Sequence, residues 1–134
     1  MSDIHSMPGH LIRRLNQISV SIFADKMAHA ELDFTPVQFA ALSTISREPG
    51  LDQATLAGLV AYDRATLGGV VDRLEAKGLV VRELSETDRR ARTLHLSEIG
   101  SDVLAKLVPI VTDLQDQILT GLDVREKEHF ILLL

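Results

Sequence analysis

Asp63-Arg64-Ala65-Thr66-Leu67-Gly68-Gly69-Val70-Val71-Asp72-Arg73-Leu74-Glu75-Ala76-Lys77-Gly78, followed at once by Leu79-Val80-Val81-Arg82, is where the chain changes its period. Leu67, Val70, Val71 and Leu74 fall at i, i+3, i+4 and i+7 and so share one helical face. Asp63 is placed to cap that helix, and Gly78 to end it in a left-handed conformation. Leu79 to Arg82 then reads as a strand, Ser85 to Ala91 as a polar turn, and Arg92-Thr93-Leu94-His95-Leu96 as a second, alternating strand. Upstream, Asp52 caps a short helix from Gln53 to about Val60, and Ala61-Tyr62 forms the turn between the two helices. Two helices joined by a tight turn and followed by a hairpin predict a winged helix-turn-helix. A helix of that kind fits the major groove of duplex DNA, and the hairpin reaches the backbone or minor groove beside it.

The flanking sequence is helical, which makes the chain mainly α with one small β-hairpin. Pro8-Gly9 opens a helix to about Ala30 with Leu11, Ile12, Leu15, Ile18, Ile22 and Phe23 on one side. Thr35-Pro36-Val37-Gln38 starts a second helix that ends before Pro49-Gly50: Thr35 caps, Pro36 suits the first turn and Gln38 reaches back. After the hairpin, Ser97 caps a long helix to about Leu119 whose stripe is Leu104, Leu107, Val108, Val111, Leu114 and Ile118. Pro109 lies inside it and predicts a kink. Asp123 with Glu126 starts a last helix that runs to the chain end. No repeat, low-complexity stretch or flexible linker interrupts this order.

Composition bounds the function. At 134 residues the chain has the size of one domain. Residues 33–100 are expected to form the winged helix-turn-helix lobe, flanked by the helical segments 1–32 and 101–134. No apolar run approaches the roughly 20 residues of a membrane helix, and Met1 to Met7 has neither a basic flank nor a signal-type apolar stretch. A cytoplasmic protein without a membrane partner is expected. The absence of cysteine removes disulfides, thiolate metal sites and thiol nucleophiles together. The net charge of −5 argues against indiscriminate nucleic-acid binding, but phosphate contacts need only local charge. Residues 1–50 carry four Lys/Arg against five Asp/Glu, residues 51–100 seven against eight, and residues 101–134 three against six. Basic groups are densest in the middle, which suits either a DNA-facing centre or an ordinary solvated surface.

The candidate DNA contacts follow from the central stretch. Opposite its apolar face the helix carries Ala65, Gly69, Asp72 and Ala76, flanked by Thr66, Gly68 and Arg73. Each mid-helix glycine costs about 1 kcal/mol relative to alanine. Gly68-Gly69 therefore marks a close approach to DNA, tolerated helix surface, or close helix–helix packing. Arg64 is the best base-reading candidate, because arginine pairs bidentately with guanine. Thr66 suits a phosphate or a thymine methyl, and Gln53 opens the preceding helix on the same side. Arg73 suits a phosphate or an ion pair with Asp72 or Glu75. At the hairpin tip, Asp88-Arg89-Arg90-Ala91-Arg92 packs three arginines into four residues. A narrow minor groove attracts such arginines, with Asp88 orienting Arg90. A solvated charged turn is the plain alternative, which the helix-turn-helix just before it disfavours.

The stretch from Asp63 to Val80 resembles the recognition helix of the MarR (multiple antibiotic resistance regulator) family. The run Asp88-Arg89-Arg90-Ala91-Arg92-Thr93-Leu94-His95-Leu96-Ser97-Glu98-Ile99-Gly100 resembles that family's wing, with its Asp-x-Arg, a strand and Leu-Thr/Ser-x-x-Gly. With the helical order, the resemblance covers nearly the whole chain. It implies a homodimer held by the terminal helices, recognition helices in successive major grooves and wings in the flanking minor grooves. Arg90 matches the wing arginine, Asp88 its partner, and Arg64 and Thr66 recognition-helix contact positions. Family members extend somewhat further, whereas this sequence stops in Phe130-Ile131-Leu132-Leu133-Leu134. Such an apolar end needs a partner, so Phe130 and Leu133 are expected in the dimer interface. A truncated chain would end the same way.

The resemblance also implies a small-molecule trigger, often an aromatic acid or phenol. The opening Pro8-Gly9-His10-Leu11-Ile12-Arg13-Arg14 and Thr35-Pro36-Val37-Gln38-Phe39 resembles the branch controlling breakdown of aromatic acids, including pyridine carboxylates and aromatic acyl thioesters. His10, Arg13, Arg14 and Gln17 lie near one side of the first helix and suit a carboxylate. Phe39, with Gln38 beside it, suits stacking on a ring. Against this stand arginines paired with acids at the dimer interface and Phe39 in the core. His5, His10, His29, His95 and His129 are scattered and form no metal-type pair, and no catalytic motif is present. Neither catalysis nor a metal or other cofactor is expected. The expected function is a ligand-responsive transcriptional regulator, a repressor released from a pseudo-palindromic operator by an aromatic acid or its thioester. The alternatives are a protein-interaction module and a constitutive DNA binder without an effector.

Overall fold

A computed structural model describes residues 3–88 and 91–134. After a 3-10 turn at Ile4–Ser6, the elements run α1 (Pro8–His29), α2 (Pro36–Arg47), α3 (Gln53–Leu59), α4 (Arg64–Ala76), β1 (Val80–Leu84), β2 (Arg92–Leu96), α5 (Glu98–Ile118) and α6 (Val124–Leu133). The architecture is a winged helix-turn-helix flanked by helices. Two compact units result, Phe34–Pro109 and Met1–Asp33 with Ile110–Leu134, so residues 101–109 group with the winged lobe. α5 runs on through Pro109, where the boundary between the units falls.

In the winged lobe the helix starts are set by side chains. Thr35 Oγ1 accepts from Gln38 N while Gln38 Oε1 accepts from Thr35 N, a reciprocal capping box. Asp52 and Asp63 cap α3 and α4 through Thr55 N and Thr66 N. α4 buries Leu67, Val70, Val71 and Leu74, the four residues spaced for one face. They share the core with Ala41, Leu42 and Ile45 of α2, Leu56 of α3 and Leu94 of β2. Gly78 follows at φ +76°, as the end of α4 requires.

β1 extends two residues beyond the expected Leu79–Arg82 and pairs antiparallel with β2, from Val80 opposite Leu96 to Leu84 opposite Arg92. The far side of β2 holds a third extended segment: Gly50 N donates to the Leu94 carbonyl, Leu94 N donates to the Leu51 carbonyl, and Asp52 bridges Thr93. This ties the entry of α3 to the wing. Ser97 then starts α5. Its Oγ accepts from Gly100 N at 2.9 Å and donates to the Gly78 carbonyl at 2.5 Å, while Ser97 N donates to the Leu79 carbonyl. A side chain on Gly100 would begin 2.0 Å from the Leu79 carbonyl oxygen, so only glycine fits there.

In the other unit α1 buries only its C-terminal end, through Phe23 and Met27. Leu11, Ile12 and Ile18, expected on the same packed side, are exposed. α6 begins with a capping box between Asp123 and Glu126, and Lys127 pairs with Asp116 at 3.3 Å. An open groove of about 350 Å³ is lined by Ile12, Leu15, Ile118, Leu119, Phe130 and Ile131, among others. No helix among the described residues is long and apolar enough to cross a membrane.

Candidate nucleic-acid interface

The turn between α3 and α4 is tight enough to hold Ala61 at φ +58°, a conformation unfavourable for a residue with a side chain. It presents the start of α4 to solvent: Arg64, Ala65 and Thr66 are all exposed. Asp63 Oδ1 accepts from Thr66 N and Oδ2 from Thr66 Oγ1, both at 2.8 Å. Those two hydrogen bonds hold the Asp63 carboxyl below its ordinary pKa of 3.8. They also commit the hydroxyl proton of Thr66, leaving its methyl and its oxygen lone pairs for a DNA contact. Asp52 is lowered likewise, first by its hydrogen bonds from Thr55 and further by the charge of Arg64. Asp52 and Asp63 are thereby engaged at helix starts.

The two glycines of α4 have different surroundings. A side chain on Gly68 would meet Gln53 Nε2 at 3.2 Å, so this glycine makes room for the α3 side chain. Nothing lies within 4 Å of where a Gly69 side chain would be. Close packing accounts for Gly68, and Gly69 is the open position of the pair. Arg73 is exposed, and the carboxylates offered to it pair elsewhere. Asp72 lies 2.6 Å and Glu75 3.5 Å from Arg82 Nη1 on β1. Arg82 Nη2 also donates to Gln53 Oε1 at 3.1 Å and lies 3.5 Å from the Gly68 carbonyl. Gln53 is therefore tied to the wing strand as well as standing at the start of α3. Arg82 does not emerge from the sequence as a site residue. Its position on a strand is readable, but its partners are 7 to 29 residues away.

In the wing, Ser85 N donates to the Ala91 carbonyl and Ala91 N to the Asp88 carbonyl, which closes the turn. Ser85 Oγ accepts from Thr87 N and Asp88 N, each at 3.3 Å. Arg92 is exposed at the start of β2. With Asp52, Gln53, Ala54, Asp88 and Ala91 it lines a cleft of about 350 Å³. Arg89 and Arg90, the candidate minor-groove residues, lie outside the described residues.

The candidate effector residues fall in both compact units. On α1, Arg13 donates to His10 Nδ1 at 3.2 Å, so the neutral His10 ring carries its proton on Nε2. That Nε2 is buried and has no partner among the described residues. The His5 ring stands edge-on to His10, with centroids 5.3 Å apart. Arg14 and Gln17 are exposed. In the winged lobe Phe39 is half-buried, and Gln38 is buried with its side-chain oxygen committed to the α2 cap. No group of three or more metal-ligating side chains occurs among the described residues.

Comparison with known proteins agrees with this geometry. A sequence profile described as MarR family matches residues 32–91. The transcriptional regulator HosA of Escherichia coli is 32% identical over 122 residues, 91% of this chain and 87% of HosA. The transcriptional repressor NicR of Pseudomonas putida is 30% identical over 132 residues, 98% of this chain and 82% of NicR. Among solved structures, BpsR of Bordetella bronchiseptica, whose DNA binding is regulated by 6-hydroxynicotinic acid, superposes with a TM-score of 0.92. It is 26% identical, over 99% of this chain and 94% of BpsR.

Proposed function

The chain belongs to the MarR family of winged helix-turn-helix transcriptional regulators, which are not enzymes, and from that premise we propose that it is a repressor. As a homodimer it binds a pseudo-palindromic DNA operator in the cytoplasm and leaves it when an aromatic acid or its thioester binds. The observation that carries the DNA-binding part is the disposition of charge on the lobe. Asp52 and Asp63 are engaged in caps, Asp72 and Glu75 are met by Arg82, and Arg64 and Arg73 stand exposed on α4. A protein of net charge −5 thereby presents cations where a duplex would dock. Arg64, Thr66 and Gly69 would face base edges. Gln53, Arg73 and Arg92 would face the backbone, and Asp88 with Arg89 and Arg90 the minor groove.

Dimerisation is supported by the apolar residues left open on the terminal helices, Leu11, Ile12 and Ile18 of α1 and Ile131, Leu132 and Leu133 of α6. Two copies would place recognition helices about 34 Å apart, one turn of the duplex. The effector reading is supported by His10 and Arg13, a donor-rich pair on α1 beside Arg14 and Gln17, and separately by Phe39, half-buried on α2 beside Gln38 as a candidate ring contact. NicR is named a repressor and BpsR responds to a hydroxylated pyridine carboxylate. The first fits the repressor reading, and the second fits the chemistry of a planar ring carrying one carboxylate.

The test is a titration of labelled DNA from upstream of this protein's own gene, with and without a panel of aromatic acids and their thioesters, across salt. Salt-sensitive binding in the nanomolar range that one compound relieves is expected. Binding that no compound alters would overturn the effector and leave a constitutive DNA binder. Binding no tighter than to random duplex would overturn the operator reading for that fragment and favour an interaction module.

A further inference from the structure

We infer that Arg82 is a positioning residue for DNA recognition: it fixes the roll of α4 by holding Gly68, Asp72 and Glu75 of that helix, and Gln53 of α3, against β1. The inference rests on the DNA-binding reading above. The three α4 positions stand at i, i+4 and i+7, one stripe along the helix. An arginine fork lying along that stripe resists rotation about the helix axis in a way that a single contact would not. Arg82 is suited to the task by burial. Its side chain keeps 19% of its exposure, against 66% for Asp72, so it is the better enclosed and less mobile partner of the pair.

Magnitude gives the roll its importance. An α-helix with its side chains is about 10–12 Å across, so a roll of about 10° moves a side-chain tip by about 1 Å. Hydrogen bonds to base edges tolerate a donor–acceptor range of about 0.5 Å. A small loss of roll control is therefore enough to spoil base reading by Arg64, while contacts to phosphate, which are less directional, survive.

The same cluster yields a test in which electrostatics and positioning predict opposite signs. Asp72 is a negative charge on the solvent side of α4. Removing it should strengthen attraction to any duplex if charge alone matters. If the hydrogen-bonded latch matters, removing it should weaken the operator complex. Asp72→Ala is the variant of choice, since the position is exposed and alanine is the best helix former. The full chain is titrated with the operator fragment and with random duplex of equal length, across salt and well below the melting temperature recorded for each protein.

For Asp72→Ala the operator dissociation constant is expected to rise about tenfold, with random duplex bound as well as before or better and the salt slope kept. Operator binding that is retained or tightened overturns the inference. Arg82→Gln is the second variant, and it is expected to lose operator preference in the same way. An equal fall on both duplexes, with the salt slope lowered by about 1, would make Arg82 a phosphate contact and overturn its positioning role. Wild-type protein that prefers no fragment over random duplex overturns the DNA-binding reading and this inference with it. Wild-type protein that prefers its operator, beside an Asp72→Ala variant that matches it, overturns the inference alone.

Discussion

The winged lobe and the terminal helices are both rich in leucine, isoleucine and valine, yet they use them differently. In the lobe, Leu42, Ile45, Leu56, Leu67, Val71, Leu74 and Leu94 are fully enclosed by elements drawn from a single run of chain, Phe34 to Pro109. In the terminal unit, Ile12 of α1 keeps 68% of its exposure and Leu132 of α6 keeps 83%. Apolar content alone does not separate the two cases. What separates them is closure: helices of 7 to 13 residues and a hairpin cover one another, whereas α1 and α6 present an open groove. The lobe is a finished core, and the terminal unit leaves apolar residues open, as the proposed subunit contact would need.

That contrast is open to attack, most forcefully from the lobe side. Leu67→Ala is expected to cost about 3 kcal/mol, because it empties a fully buried site. Urea unfolding monitored on a variant whose dimer contacts are intact would read it, and a loss below about 1 kcal/mol would mean the core is not closed. From the other side, Ile131→Ser combined with Leu133→Ser should barely alter the fold of a single chain. It should raise the dimer dissociation constant on the order of 100-fold, read by sedimentation. An unchanged association would show that these residues complete no subunit contact.

Arg64→Ala sharpens the contrast further, because it should touch neither core. We expect a loss of about 1–3 kcal/mol in operator binding with relaxed discrimination at one base pair, measured on a set of single-base operator variants. A loss uniform across sequences would reassign Arg64 to phosphate. The smallest effect is acid sensitivity confined to the lobe. Asp52 and Asp63 titrate below their ordinary 3.8 in the folded chain. Their contribution is therefore present above that value and is lost as pH falls through the lower, folded-state values. Asp52→Asn with Asp63→Asn should flatten the fall in lobe stability on acidification below about pH 4. An identical acid profile in the double variant would show that the caps carry no such linkage.

Local features were readable and distant pairings were not. The caps at Thr35, Asp52, Asp63 and Asp123 depend on residues three positions apart, and the buried face of α4 on a spacing of three and four, so both are written in short windows. The third extended segment at Leu51 is invisible in such a window, since its partner Leu94 lies far along the chain and one apolar residue after a glycine signals nothing. Arg82 hid for the same reason, as a strand arginine announces a cation but not its acceptors. Gly68 was legible as an anomaly, and its cause, Gln53 of the preceding helix, only in three dimensions. On α1 the apolar stripe was legible too, but its exposure was not, because periodicity marks a face for burial without saying which molecule buries it.

Gly100 carries a consequence of another kind. With the Leu79 carbonyl oxygen lying where a side chain would start, and with Ser97 bonded to Gly78 and Leu79, the end of α4 and the start of α5 meet backbone to backbone. In the language of machines, the joint has no backlash. Side chains between two helices act as compressible washers that absorb small tilts by changing rotamer, and here there is no washer. Within the lobe, a shift of the first turn of α5 would therefore reach the end of α4 through main-chain contact.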